Sequence, residues 1–166
     1  MIKKMTVTTL ALLLSSSAMA QVVGGIGYYN FDDEGSDIDL AIVTATIGYK
    51  FSSENSNFSM TPELRAGAGV KDDTYLGVNV KISQAYGLNV RGQWDFNNAT
   101  YFFIAPSYMN FELEASAGGF KASEDDWQFG GGAGVGFKFS DNGGVELSYE
   151  KFNDAEVLGL GVRFGF

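Results

Sequence analysis

The chain has 166 residues, with 11 Lys and Arg against 20 Asp and Glu, for a formal charge of −9. It holds no Cys and no His, which excludes disulfide frameworks, thiolate nucleophiles, imidazole bases and the ordinary zinc and haem sites. The acidic balance speaks against a nucleic-acid partner, since such proteins carry basic patches, and leaves one domain rich in Gly (22 residues), Phe (14) and Tyr (8).

Lys3 and Lys4 precede an apolar run from Met5 to Leu14, followed by Ser15, Ser16 and Ser17 and then Ala18-Met19-Ala20. A positive start, an apolar stretch of about 7–15 residues and an A-x-A site define a secretory signal. The run is too short for the roughly 20 apolar residues of a spanning helix. Residues 1–20 are expected to be a signal peptide cut after Ala20, with residues 21–166 forming a single exported domain. Losing Lys3 and Lys4 takes the charge from −9 to −11.

Beyond Gln21 the period is two, the signal of strands. Eight runs stand out, at about 22–31, 38–51, 57–71, 76–96, 100–114, 125–139, 144–152 and 156–166. In the sixth, Trp127, Phe129, Ala133, Val135, Phe137 and Phe139 share one face, and Gly130, Gly132, Gly134, Gly136 and Lys138 the other. In the last, Leu158, Leu160, Val162, Phe164 and Phe166 alternate with Val157, Gly159, Gly161, Arg163 and Gly165. The connections at 52–56, 97–99 and 140–143 are short turns. Those at 32–37, 72–75, 115–124 and 153–155 fall at the opposite end and, with their flanks, hold most of the acid. Pro62 and Pro106 interrupt two runs. Each removes a ladder donor, so either a bulge lies there or the strand limits differ.

The non-apolar face is rich in Gly, Ala, Ser and Asn rather than Lys and Glu, as in a cramped interior. The aromatics group by height. Tyr49, Phe51, Phe58, Trp94, Phe96, Phe102, Phe137, Phe139, Phe164 and Phe166 lie towards the short turns; Phe31, Tyr75, Phe111, Trp127, Phe129 and Phe152 lie towards the long loops. Two aromatic girdles around an aliphatic band form the transmembrane-barrel pattern. Strands can span lipid only as a closed sheet, and at about 9–11 residues per crossing the chain accommodates eight. The predicted fold is an all-β, eight-stranded antiparallel transmembrane barrel. The alternative is a secreted sandwich or a soluble lipocalin-like barrel.

With Val157–Phe166 ending in an aromatic at the last position, and the Gly-x-Gly-x-Gly run at 130–136 before Phe137-Lys138-Phe139, the chain resembles the small eight-stranded outer-membrane barrels. That family includes the OmpA transmembrane domain, OmpX, Ail and the opacity-type adhesins. The resemblance implies location in the bacterial outer membrane, among lipid and lipopolysaccharide. It also implies passage by periplasmic chaperones and an assembly signal at Leu160, Val162, Phe164 and Phe166, read by the outer-membrane assembly machinery. Barrel enzymes of this architecture use a histidine, as the resemblance implies, and this chain has none; no enzymatic role is expected.

Glu63, Arg65, Lys81, Arg91, Lys138, Glu146, Glu150 and Arg163 fall on the small-residue face. Buried charges must be paired, so a lumenal salt-bridge network is expected. It acts either as a structural plug, because an eight-stranded interior is just wide enough for side chains to fill, or as the gate of a narrow channel. Asp32, Asp33 and Glu34, with Glu124, Asp125 and Asp126, are candidate weak cation-binding loops, oxygen ligands suited to Ca²⁺ or Mg²⁺, although their spacing is not that of an EF-hand. No dedicated metal site and no cofactor are expected. The functional expectation is a structural or surface-interacting barrel, a monomer whose loops meet a surface ligand; the alternative is a small porin-like channel with a salt-bridge-gated lumen.

Overall fold

The computed structural model describes residues 19–33, 39–53, 56–153 and 155–166. Nine strands account for most of them: β1 (Met19–Asp33), β2 (Asp39–Ser52), β3 (Phe58–Lys71), β4 (Asp73–Tyr75), β5 (Val78–Asp95), β6 (Thr100–Ala117), β7 (Phe120–Ser140), β8 (Gly143–Phe152) and β9 (Ala155–Gly165). β1 pairs with β2 and β9, and β3 with β2 and β5, all antiparallel, so eight long strands close into a ring. Among the described residues β4 pairs with β5 alone. Residues 1–18 of the expected signal peptide lie outside the described residues; the backbone of Met19 and Ala20 continues β1 opposite Ser52 and Phe51.

Closure turns the usual distribution of side chains inside out. Arg91 and Glu150 are 3% and 2% exposed, whereas Ile26 and Leu160 are 63% and 62% exposed. In water each such aliphatic side chain would forgo about 1.5–3 kcal/mol of burial. In a bilayer the lipid supplies that apolar surround, and the closed ring satisfies the backbone internally.

The short turns are locally encoded. Asn97 Oδ1 accepts hydrogen bonds from the backbone N–H groups of Ala99 and Thr100, both at 2.8 Å, a side-chain mimic of a backbone turn. Asp141 and Asn142 link β7 to β8. At the opposite end two expected loops prove to be hairpins. β6 and β7 run on to the Ala117–Phe120 pair, turned by Gly118 (φ 55°) and Gly119 (φ 88°). Residues 73–75 form β4, turned by Leu76 (φ 49°) and Gly77 (φ 82°). Acidic, polar composition suggests a loop, but two successive left-handed residues make the tight turn that suits twisted strands.

The prolines need neither a bulge nor shorter strands. The β2–β3 ladder skips Thr61 and Pro62 and the β5–β6 ladder skips Ala105 and Pro106, each resuming in unchanged register. The other flank stays paired, Pro62 with Val90 and Pro106 with Gly131.

The glycine column of β7 is a slot for neighbouring side chains. A Cβ at Gly134 would lie 2.4 Å from the Phe103 ring, one at Gly136 2.1 Å from Tyr101, and one at Gly132 2.1 Å from the Tyr149 carbonyl oxygen. Gly132→Val, blocked by backbone that cannot rotate away, is expected to destabilise the barrel by about 3 kcal/mol or prevent folding. Gly118→Asn, facing open space with a residue that tolerates left-handed backbone, is expected to leave the heat-modifiable folded band intact on a gel.

Candidate functional site

The lumen is layered. Across its middle, Arg65 from β3 bonds Glu150 of β8 at 2.8 Å, and Arg91 from β5 grips Glu146 of β8 at 2.6 and 3.1 Å. Arg163 from β9 pairs with Glu63 of β3. Nearer the short turns, Lys138 of β7 bonds Asp95 at the end of β5 at 2.8 Å. Neutral groups complete the coordination. Asn89 donates to Glu63 at 2.6 Å, the Tyr101 hydroxyl donates to Glu146 at 2.8 Å, and Gln93 donates to Asp95 at 2.8 Å. The Arg91 guanidinium also lies over the Phe103 ring at 3.5 Å, and that of Arg65 over Tyr29 at 5.0 Å. A cavity of about 30 Å³ remains among these groups, room for about two waters.

Of the eight charged residues expected in the lumen, the structure turns Lys81 outward. A bulge between Ile82 and Gln84 inserts Ser83 as an extra residue, and one extra residue reverses the face of everything beyond it. Ile82 and Val80 therefore point into the core, and Lys81 reaches Glu114 at 3.2 Å, an acid that Lys121 also holds at 3.1 Å. Sequence reasoning missed Asn89, Gln93 and Asp95, which share the parity of Arg91, and Tyr101 and Phe103, whose ring faces the β7 glycines.

Towards the long-loop end the lumen is closed by an apolar plug. Phe111 meets Phe31 at 5.5 Å and Phe152 at 5.2 Å, both edge-to-face, among Met109, Ile82, Leu40, Ile42 and Val157. Phe31, Phe111 and Phe152 were expected in the outer girdle, and this is a correction. Height alone suggested the girdle, but Phe152 has the parity of Glu146 and Glu150 and must face inward with them. Outside at that height stand Tyr86, Tyr108 and Trp127, with Trp127 stacked on Tyr108 at 4.9 Å. Around the short-turn end Trp94 stacks on Phe102 at 4.8 Å and meets Phe58 at a tilt at 4.6 Å, and Phe139 meets Phe164 edge-on.

Leu160, Val162, Phe164 and Phe166 occupy the outer face of the chain's last strand region. The acidic candidates do not assemble. Asp32 is exposed in β1 opposite Asp39 and Glu156; Glu34 and the side chain of Asp33 lie outside what is described. Glu124, Asp125 and Asp126 are in β7, not in a loop, opposite Leu113, Glu112 and Phe111. Consecutive strand residues point to opposite faces, so the three cannot converge on one ion. Among the described residues no group of three or more acidic ligands is placed to hold a metal.

A sealed ring with charges inside, aliphatic side chains outside and aromatics at both rims is an integral barrel of the outer-membrane class. The chain belongs to the outer membrane protein beta-barrel domain family, whose model matches residues 6–165. No curated protein matches it by sequence. Among solved structures it is similar to Ail of Yersinia pestis, crystallised with the heparin analogue sucrose octasulfate (TM-score 0.60, 16% identity, 90% of this chain and 99% of that one). It is also similar to the N-terminal barrel of Pseudomonas aeruginosa OprF (TM-score 0.61, 14% identity, 89% and 100%). Neisserial surface protein A is a third such structure (TM-score 0.55, 13% identity, 91% and 100%). At these identities the likeness is one of fold.

Two predictions follow from the ion pairs. Glu150→Ala strands the buried Arg65 guanidinium and is expected to cost about 3–5 kcal/mol in urea unfolding, while Lys71→Ala, which removes an exposed partner of Asp39, leaves the midpoint near wild type. Outside the membrane, Lys121 and then Lys81 hold Glu114 below its ordinary value of 4.5, and the backbone N–H groups of Asp39 and Thr74 hold Asp73 below 3.8. A lowered folded-state pKa adds order above the ordinary value and loses it as pH falls through the folded value. Amide NMR in nanodiscs is therefore expected to show both outer hairpins intact at neutral pH and loosening only below about pH 4.

Proposed function

We propose that this outer-membrane barrel is a sealed structural scaffold that presents the β5–β6–β7 extension to a ligand at the cell surface. The observation that carries this reading is the free edge of β7. The β7–β8 ladder begins only at Gly130, so Phe120 to Phe129 rise beyond it and, among the described residues, pair with β6 alone. Such an edge accepts an extended segment by strand addition. The lumen supports the same reading, since the charges across its middle are matched and its outer end is filled with Phe, Met and Ile. No catalytic step belongs to this reading.

Glu112, Glu114, Glu124, Asp125 and Asp126 outnumber Lys81 and Lys121 on the extension. A polysulfated sugar of the kind found with Ail would be repelled here, and a basic extended peptide is the better match. In the membrane the barrel stands as a monomer among lipid and lipopolysaccharide. Its last strand, with Leu160, Val162, Phe164 and Phe166, serves as the signal for the assembly machinery after delivery by periplasmic chaperones.

Replacing residues 113–124 by an Asn-Gly turn closes the hairpin on the Glu112–Asp125 pair. The trimmed barrel is expected to keep its folded gel mobility and lose binding of cells to an immobilised Lys-rich extended peptide. Undiminished binding would overturn the edge as the site. In a planar bilayer the refolded protein is expected to be silent; discrete openings that shift on neutralising Arg91 or Glu63 would replace the scaffold with a gated channel.

A further inference from the structure

The chain as a whole is acidic, yet its lumen at the short-turn end is basic. A cavity of about 70 Å³ opens there, lined by Gln21, Lys50, Thr61, Gln93, Lys138 and Arg163 among others. At about 10–15 Å³ for each water, it has room for a small polyatomic ion. Lys138 is already bonded to Asp95 and Arg163 to Glu63. Lys50 has no ion-pair partner among the described residues and shares the cavity's lining with Lys138 and Arg163. Among the described residues the one carboxylate in the cavity's lining, Asp141, stands on the exposed β7–β8 turn. An ammonium partly withdrawn from water beside further cations is costly until an anion joins it. The Thr61 hydroxyl and the Gln21 and Gln93 amides offer hydrogen bonds from the cavity wall.

We propose that this mouth is a binding site for a small oxyanion, a phosphate or carboxylate group, held by Lys50 with Lys138 and Arg163 beside it. Short turns face the periplasm in barrels of this class, so the group comes from periplasmic solution or from a phospholipid headgroup of the inner leaflet. The site is independent of the outer extension and stands or falls without it.

The test is a phosphate titration of the refolded barrel at constant ionic strength, read by amide NMR, first in zwitterionic detergent. Saturable shifts are expected at Lys50, Thr61, Gly144 and Gly165, competed by acetate, weakened at least about tenfold in Lys50→Gln and retained in Lys50→Arg. The arginine variant, which keeps the charge, separates loss of the site from loss of fold. Repeating the titration in nanodiscs containing phosphatidylglycerol separates the sources: weakened phosphate binding assigns the site to a headgroup, unchanged binding to a free ion. Non-saturable shifts, shifts as large at Lys71 and Lys121 as at the mouth, or shifts unaltered in Lys50→Gln would overturn the proposal.

Discussion

Charge pairing across the middle of a ring too narrow for bulk water is the constraint on which this structure depends. An eight-stranded barrel has an interior that side chains just fill, so any charge placed there loses its hydration and must find a partner on another strand. The pairs found here bridge distant parts of the chain: Arg65 on β3 with Glu150 on β8, Arg91 on β5 with Glu146 on β8, and Arg163 on β9 with Glu63 on β3. Each lies across the lumen rather than along its wall. The network therefore favours one register of closure over its neighbours, because a slip by one residue would turn every one of these charges into the lipid.

The remaining space is divided by size. The glycines of β7 give up their own volume so that Phe103, Tyr101 and Glu150 can lie against the backbone. Without that column Arg91 would have no Phe103 face to lie on and Glu146 no hydroxyl donor. Polar pairs then occupy the middle of the lumen and Phe, Met, Ile and Val its outer end. The result is a graded interior, wet at the short-turn mouth and dry beneath the loops.

Much of this was legible in the sequence because a strand has only two faces. The eight predicted runs match the eight strands of the ring to within a few residues, and the parity of Glu146, Glu150 and Arg163 placed them inward. Parity also marks the points of failure. One bulge at Ser83 reversed the face of Lys81, and nothing in the local residues signals it, since Ile82 and Lys81 fit either orientation. Phe31, Phe111 and Phe152 were misplaced by grouping aromatics by height without regard to face, although Phe152 follows Glu150 in strict alternation. The hairpin at 115–124 was hidden by its small residues and the Gly118-Gly119 pair, a composition that marks a turn and does not show that a ladder runs up to it on both sides. Which charge pairs with which, and the basic mouth around Lys50, depend on closure across the ring and have no local trace.

The prolines carry a consequence of another kind. Pro62 pairs with Val90 and Pro106 with Gly131, and the unbroken β5–β6 register sets Val90 opposite Pro106, so both interrupted ladders fall in a single row around the wall at the level of Arg91. Fewer ladder hydrogen bonds cross the wall along that row than along the rows on either side, the local weakness from which sub-global opening starts. The barrel thus has a preferred line along which to part, beside the arginine that holds its two halves together from within.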